Sequence, residues 1–228
     1  MGFRALNSVQ GRTFTHKDIL DEIMTFITKQ PDGEKRAAVL KKGVCHALSI
    51  EWLRRWVTQH YNEGQLCNFN TEMLQNVATA IQVADNYYSY VQNWLRMHPK
   101  KADKPDERLI LDDERNGVIM NSIELSQEYI TLCSKDQMKN VAAYKLDDGN
   151  DLATVFQGPY FLLSVQWDES AHAVAGGVRS NGNGIILYDP NNNEVQHMDS
   201  IADVPAYINV AYFAKWGPVK AYSVCEVQ

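Results

Sequence analysis

A change of hydrophobic period near residue 140 constrains the fold of this chain more than any other feature of its sequence. Residues 17–133 repeat their apolar side chains every three or four positions, which is typical of amphipathic helices. Residues 140–228 instead contain short apolar runs bounded by Gly, Pro and Asn, with one helical segment among them, and such runs predict strands. A helical half followed by a strand-rich half predicts an α+β fold, with the helices packed on an antiparallel sheet.

Length and composition are those of one globular domain. The chain has 228 residues, of which 45% are apolar and 22% are charged, so it can bury a sizeable core and disorder is not its dominant state. We expect a single domain over residues 1–228. Within it, residues 1–16 are expected to be flexible, and the polar, Pro-containing stretch 98–117 is expected to form a surface loop.

Charge and hydropathy exclude several classes of function. The formal net charge is −6, which argues against a nucleic-acid partner or an anionic membrane surface. No apolar run approaches the roughly 18 residues of a spanning helix, and residues 1–30 hold no core of a cleaved signal peptide. We therefore expect no membrane span, and a protein that is cytoplasmic or leaves the cell without a cleaved signal.

The cysteines indicate free thiols. Cys45, Cys67, Cys133 and Cys225 are widely spaced and form no CxxC pair, so they favour reduced thiols over a disulfide framework. Two of them, with His46 and His60, are near one another in sequence. Their spacings match no common structural zinc pattern, so no metal site is predicted.

Cys45 is the candidate nucleophile. It follows Gly43 and precedes a strongly helical run, so the sequence predicts that a helix begins at this cysteine. The positive end of a helix favours the thiolate, and its free N–H groups donate to an oxyanion. The backbone N–H of Cys45 is thus the predicted oxyanion donor. The alternative is that Cys45 is a small buried residue, as most free cysteines are.

His172 is the candidate base. A side chain at His46 would point about 100° away from Cys45 around the helix, whereas His172 opens a predicted strand beside the buried run 160–165. The Asn- and Gly-rich residues 179–184 predict a hairpin between two strands. A non-catalytic strand histidine is the alternative interpretation.

Asp189 is the candidate third member of the site. His172 and Asp189 are symmetric about a point between Ser180 and Asn181, so the two are predicted to lie opposite each other, about 5 Å apart at Cα. An aspartate in that place can orient the imidazole of a nucleophile–base pair. The alternative is a simple turn after a strand.

Three short motifs resemble the YopT/AvrPphB-type cysteine proteases, which are papain-like effectors that bacteria inject into host cells. The motifs are GVCHALSIEWL at 43–53, SAHAV at 170–174 and YDPN at 188–191. Their order of Cys, His and Asp is the order of that family, and the resemblance extends over nearly the whole chain.

The resemblance implies a papain-like fold and a thiol protease with Cys45 as nucleophile, His172 as base and Asp189 as orienter. It implies a host protein as substrate, delivery by injection, and no cofactor or metal. Papain-like enzymes also place an amide side chain before their cysteine, but residues 34–44 contain no Gln or Asn, so Gln30 is the nearest candidate. A glutamine deamidase, an acyltransferase and an inactive papain-like binding module stay open as alternatives.

Overall fold

The computed structural model of the chain describes residues 4–5, 16–29, 33–98, 109–112, 117–120, 123–135, 137–146, 149–168, 170–192 and 195–228. Within them the helices are α1 (His16–Ile27), α2 (Gly33–Gln59), α3 (Glu63–Cys67), α4 (Phe69–Gln75), α5 (Val77–Met97), α6 (Ile123–Cys133), α7 (Leu152–Val155) and α8 (Asp203–Trp216). The strands are β1 (Arg4–Ala5), β2 (Leu109–Asp112), β3 (Gly117–Met120), β4 (Asn140–Leu146), β5 (Tyr160–Gln166), β6 (Ala171–Val178), β7 (Ile185–Tyr188), β8 (Gln196–Met198) and β9 (Ala221–Val227).

Seven of these strands form one antiparallel sheet in the order β1-β8-β7-β6-β5-β9-β4. The strands that bear the predicted site, β5 to β7, are neighbours in its centre. The long apolar runs predicted as strands between 160 and 227 all lie in this sheet. The α+β prediction is therefore confirmed.

Helices cover both faces of the sheet. Alternate residues of a strand point to opposite faces, and β5 shows this directly. Leu162 belongs to the core shared with α2 and α5, whereas Phe161 and Leu163 belong to the core shared with α8. The central strands are consequently buried on both sides, which explains their uninterrupted apolar sequence.

Gly177 of β6 allows α2 to lie close to the sheet. A Cβ atom at this position would come within 2.6 Å of the Tyr160 ring, 2.8 Å of the Pro159 carbonyl oxygen and 3.0 Å of the Trp56 ring. Trp56 is on α2 and packs edge-on against Tyr160, with 4.9 Å between ring centroids. Only the missing side chain leaves room for this approach.

The predicted surface loop at 98–117 is wrong in part. β2 and β3 pair as an antiparallel ribbon, with Leu109 opposite Met120 and Asp112 opposite Gly117, and β3 contacts α2. The charges and prolines of the stretch concealed the short apolar run of β2, which pairs with β3, the run that begins at the end of the stretch. The remainder of that stretch, apart from His98, lies outside the described residues.

The predicted flexible segment 1–16 also contains ordered structure. Arg4 pairs with His197 and Ala5 with Gln196, so β1 adds an edge strand to the sheet. Residues 6–15 lie outside the described part of the chain, and His16 begins α1. No helix in the described ranges is long and apolar enough to cross a membrane.

Candidate active site

Cys45 lies in the interior of α2, so the predicted helix start at this residue is wrong. The helix begins at Gly33, twelve residues earlier. Gly43 does not interrupt it, because a glycine inside a helix costs only about 1 kcal/mol and tertiary packing outweighs that cost. Interior helical N–H groups donate to the carbonyl four residues back, so the predicted oxyanion role of the Cys45 N–H loses its geometric basis. Gln30, the other predicted oxyanion donor, lies outside the described residues.

A hydrogen bond between α2 and β6 sets Cys45 beside His172. The Ser49 hydroxyl donates to the Ala173 carbonyl, with 3.1 Å between the two oxygens. Ser49 lies one helical turn after Cys45 on the same face of α2, and Ala173 directly follows His172. The half-buried Cys45 interacts electrostatically with the imidazole of His172 and contributes to the raised pKa of that histidine. The structure thus brings together a cysteine and a histidine 127 positions apart in sequence.

The same face of α2 lies against the strand that leads to Asp189. Trp52, seven residues after Cys45, stacks on Tyr188 with ring centroids 5.4 Å apart and an interplanar angle of 11°. Tyr188 in turn donates from its hydroxyl to Asn70, at 2.7 Å. This packing fixes the end of β7, and with it the residue that follows, Asp189.

His172 and Asp189 form a buried pair. The Nε2 atom of His172 lies 2.7 Å from Oδ1 of Asp189, and the side chains are 2% and 0% exposed. The predicted register is wrong by one residue at the hairpin centre, because Val178 pairs with Ile185. Continuing that register places Asp189 opposite Val174, so the contact with His172 is diagonal, which the length of both side chains allows.

The environment favours the charged forms of both groups. Burial lowers the pKa of His172, but the negative charge of Asp189 and its hydrogen bond, with contributions from Cys45, raise the pKa to about 10. Burial raises the pKa of Asp189, and the charge of His172 together with hydrogen bonds from His172, Tyr212 and the Asn191 N–H lowers it below its usual range. An imidazolium–carboxylate pair results.

Two tyrosines of α8 complete the shell around Asp189. The Tyr212 hydroxyl donates to Oδ2 at 2.6 Å, and the Tyr207 hydroxyl donates to the same oxygen at 2.9 Å. The Asn191 N–H donates to Oδ1 at 2.9 Å, and the Asn192 amide lies 3.5 Å from Oδ2. Neither tyrosine is among the site residues predicted from the sequence. The signal is indirect: a buried tyrosine hydroxyl needs a partner, and a buried aspartate is one.

Aromatic side chains separate the pair from solvent. The Tyr212 ring lies 5.1 Å from the ring of His172, and Trp216 stacks on Tyr212 at 4.7 Å with an interplanar angle of 9°. The Trp167 ring lies 4.7 Å from the Trp216 ring, and its indole N–H donates to the Gly217 carbonyl. The hydrogen bond between His172 and Asp189 is therefore shielded from water, which strengthens it.

His46 is not a second base. It is 3% exposed, its Nε2 atom lies 3.0 Å from the Ser126 hydroxyl, and its ring stacks on Tyr87. Burial lowers the pKa of His46 to about 4, so it stays neutral at physiological pH. Its partners, Ser126 on α6 and Tyr87 on α5, are not members of the proposed site.

The remaining cysteines are free thiols in unreactive surroundings. Burial raises the pKa of Cys67, and it raises the pKa of both Cys133 and Cys225 to about 12. A thiol with a raised pKa is a poor nucleophile at neutral pH. In the part of the chain that the structure describes, no three His, Cys, Asp or Glu side chains group as metal ligands would.

The chain's sequence also matches a known family. Residues 23–206 match the profile of a peptidase family described as Yersinia/Haemophilus virulence surface antigen, and this span is well over half of the chain. The chain belongs to this peptidase family. The virulence surface antigen peptidases are the YopT/AvrPphB family to which the sequence motifs pointed, and the chain is accordingly a cysteine peptidase. No curated protein sequence matches it.

The fold has a counterpart among solved structures. The crystal structure of the Pseudomonas avirulence protein AvrPphB is similar over 81% of this chain and 91% of that chain, with a TM-score of 0.50 and 16% sequence identity. At this identity the likeness concerns the fold. It confirms the papain-like arrangement of helices on an antiparallel sheet that the motifs implied.

Proposed function

We propose that residues 1–228 act as one catalytic domain of an effector protease that cleaves a host protein, with Cys45 as nucleophile, His172 as base and acid, and Asp189 as orienter. The observation that carries this proposal is the 2.7 Å contact between His172 Nε2 and Asp189 Oδ1, in a pair whose imidazole also interacts electrostatically with Cys45. A nucleophile, a base and a group that orients the base are what thiol catalysis requires.

The geometry supports a separate role for each ring nitrogen of His172. Nε2 faces Asp189, with the Tyr212 hydroxyl 3.3 Å away, so Nδ1 is the nitrogen left to exchange a proton with Cys45. Cys45 Sγ bonds to the carbonyl carbon of the substrate while Nδ1 holds the proton of the thiol. When the tetrahedral intermediate collapses, the C–N bond breaks and Nδ1 gives that proton to the leaving amine. Water then hydrolyses the thioester.

A host protein is the proposed substrate because the chain belongs to a virulence-associated peptidase family. We propose that the protein reaches the host by injection. Membership in a peptidase family favours hydrolysis over deamidation or acyl transfer. The intact, shielded pair of His172 and Asp189 also disfavours an inactive binding module, in which nothing would maintain two buried charged groups.

The test compares new protein N-termini in host cells that express the wild type, Cys45→Ala or Cys67→Ala. Cleavage predicts N-termini that appear with the wild type and Cys67→Ala but not with Cys45→Ala. Intact-mass measurement of the affected proteins separates proteolysis, which shortens the chain, from deamidation, which adds about one dalton. Modified but uncut host proteins, or N-termini that persist with Cys45→Ala, would overturn the proposal.

A further inference from the structure

Asn191 occupies a defined place beside the reacting atoms. Its backbone N–H donates to Asp189 Oδ1 at 2.9 Å, and the Asn192 N–H donates to the Asp189 carbonyl at 3.0 Å, which closes the turn. Pro190, between Asp189 and Asn191, is buried, and its ring further restricts the backbone of the turn. The turn therefore holds the Asn191 side chain at one end of the His172–Asp189 pair.

The amide of Asn191 lies at the catalytic edge of the imidazole. Its Nδ2 atom is 3.4 Å from Nδ1 of His172, the nitrogen that exchanges a proton with Cys45. The same side chain also interacts with the Tyr212 hydroxyl. Asn191 is half-buried, in contrast to the fully buried Asp189, so a substrate at Cys45 can reach it.

Thiol catalysis needs an oxyanion donor. Attack of a thiolate on a carbonyl places negative charge on the carbonyl oxygen, and preorganised N–H donors stabilise that charge. The Cys45 N–H lies inside α2, and residues 34–44 contain no amide side chain. We propose that Asn191 is a catalytic residue that donates from Nδ2 to the oxyanion; this rests on the proposed role of Cys45 and His172.

The state of charge of His172 makes this donor available. An imidazolium carries hydrogen on both nitrogens, so Nδ1 cannot accept from Asn191. An amide nitrogen has two hydrogens, so the Asn191 amide has an N–H that does not depend on Nδ1 and that donates to the substrate oxygen as this oxygen develops charge. As the Sγ–C bond forms, the π electrons of the carbonyl move to oxygen, which accepts this N–H; on collapse they return as the C–N bond breaks.

Two small probes of Cys45 test the proposal without knowledge of the natural substrate. p-Nitrophenyl acetate acylates a thiolate through a tetrahedral oxyanion, whereas iodoacetamide alkylates it by displacement and forms none. The variants are Asn191→Ala, which retains the backbone N–H of the turn, and the isosteric Asn191→Asp. Asn209→Ala, at an exposed position on α8, is the matched control.

We expect Asn191→Ala to lower the Cys45-dependent acylation rate about 10²-fold, while the alkylation rate stays within about threefold of wild type. Asn191→Asp should lose more acylation, because a carboxylate repels the oxyanion, and Asn209→Ala should change neither rate. Unchanged acylation in Asn191→Ala, or an equal fall in both rates, would overturn the proposal. Absence of either reaction at Cys45 in the wild type would instead contradict the proposed nucleophile itself.

Discussion

The Nε2 atom of His172 lies 2.7 Å from Oδ1 of Asp189, and neither side chain is more than 2% exposed. Burying two opposite charges is costly unless each lone pair and proton has a partner. Asp189 meets this condition through Tyr207, Tyr212 and Asn191, and His172 meets it through Asp189 and Cys45. The surrounding structure thus maintains a charged pair beside Cys45, which is what distinguishes this cysteine from the other three.

Replacing Asp189 with asparagine should lower the pKa of His172. Burial alone lowers that pKa, and the charge of Asp189 is the largest influence that raises it to about 10. NMR titration of ¹³C-labelled histidine should show His172 titrating near pH 10 in the wild type and below its ordinary value of about 6.5 in Asp189→Asn. Asp168→Asn, at an exposed carboxylate, is the control. If His172 titrated at the same pH in Asp189→Asn and in Asp168→Asn, Asp189 would not set the charge of His172.

The same pair predicts a pH window of stability. The pKa of His172 is raised, so its contribution is fully present below about pH 6.5 and is lost as pH rises through about 10. The pKa of Asp189 is lowered, so its contribution is present above about pH 4 and is lost in acid. Urea unfolding should therefore show that His172→Ala costs most free energy of unfolding near neutral pH and progressively less toward pH 11. A cost that does not vary with pH would contradict the charged pair.

Tyr212→Phe should weaken the site without removing it. The variant loses a 2.6 Å hydrogen bond to Asp189, which we expect to cost about 1.5–3 kcal/mol of folding free energy and roughly tenfold in Cys45 acylation. Because the hydroxyl helps to keep the pKa of Asp189 low, its loss should move the acid limb of the acylation rate to higher pH. Tyr160→Phe, a half-buried tyrosine on β5, should leave that limb in place. An unmoved acid limb in Tyr212→Phe would exclude this role.

His46 should oppose stability in acid. Its pKa is lowered by burial to about 4, so below pH 6.5 the unfolded chain binds a proton that the folded chain does not. Between pH 7 and 4 this should cost on the order of 3 kcal/mol, and His46→Gln should remove that part of the pH dependence. Comparison of the two proteins by urea unfolding isolates His46 from the other titrating groups. If the free energies of unfolding of the wild type and His46→Gln changed with pH in the same way, His46 would be accessible to protons in the folded state.

The sequence predicted the catalytic candidates because local signals define the elements that bear them. The apolar runs of β5 to β7 and the Asp189–Asn191 turn are recognisable from composition alone. The hairpin centre was misplaced by one residue because the loop contains Gly182 and Gly184, both with positive φ, and their backbone path is not determined by symmetry. The side chains of His172 and Asp189 meet despite the shifted register, because they contact each other diagonally across the two strands.

Two features of the site depend on tertiary packing and were not predictable. The extension of α2 back to Gly33 depends on the balance between the weak helix propensity of these residues and the contacts of the helix with other elements. In α8 the apolar residues surround the helix, so no periodicity indicated which face is buried. The sequence therefore does not show that Tyr207 and Tyr212 lie on the face of α8 that meets Asp189.

The most direct test of Cys45 as the nucleophile is the alkylation rate of each cysteine at pH 6.5, measured with iodoacetamide and peptide mass spectrometry. Cys45 should react at least about 10²-fold faster than Cys67, Cys133 and Cys225, whose pKa values are raised by burial. His172→Ala should abolish this advantage and leave the other three rates unchanged. Equal rates at all four thiols, or a Cys45 rate that is the same in His172→Ala, would contradict the proposed catalytic site.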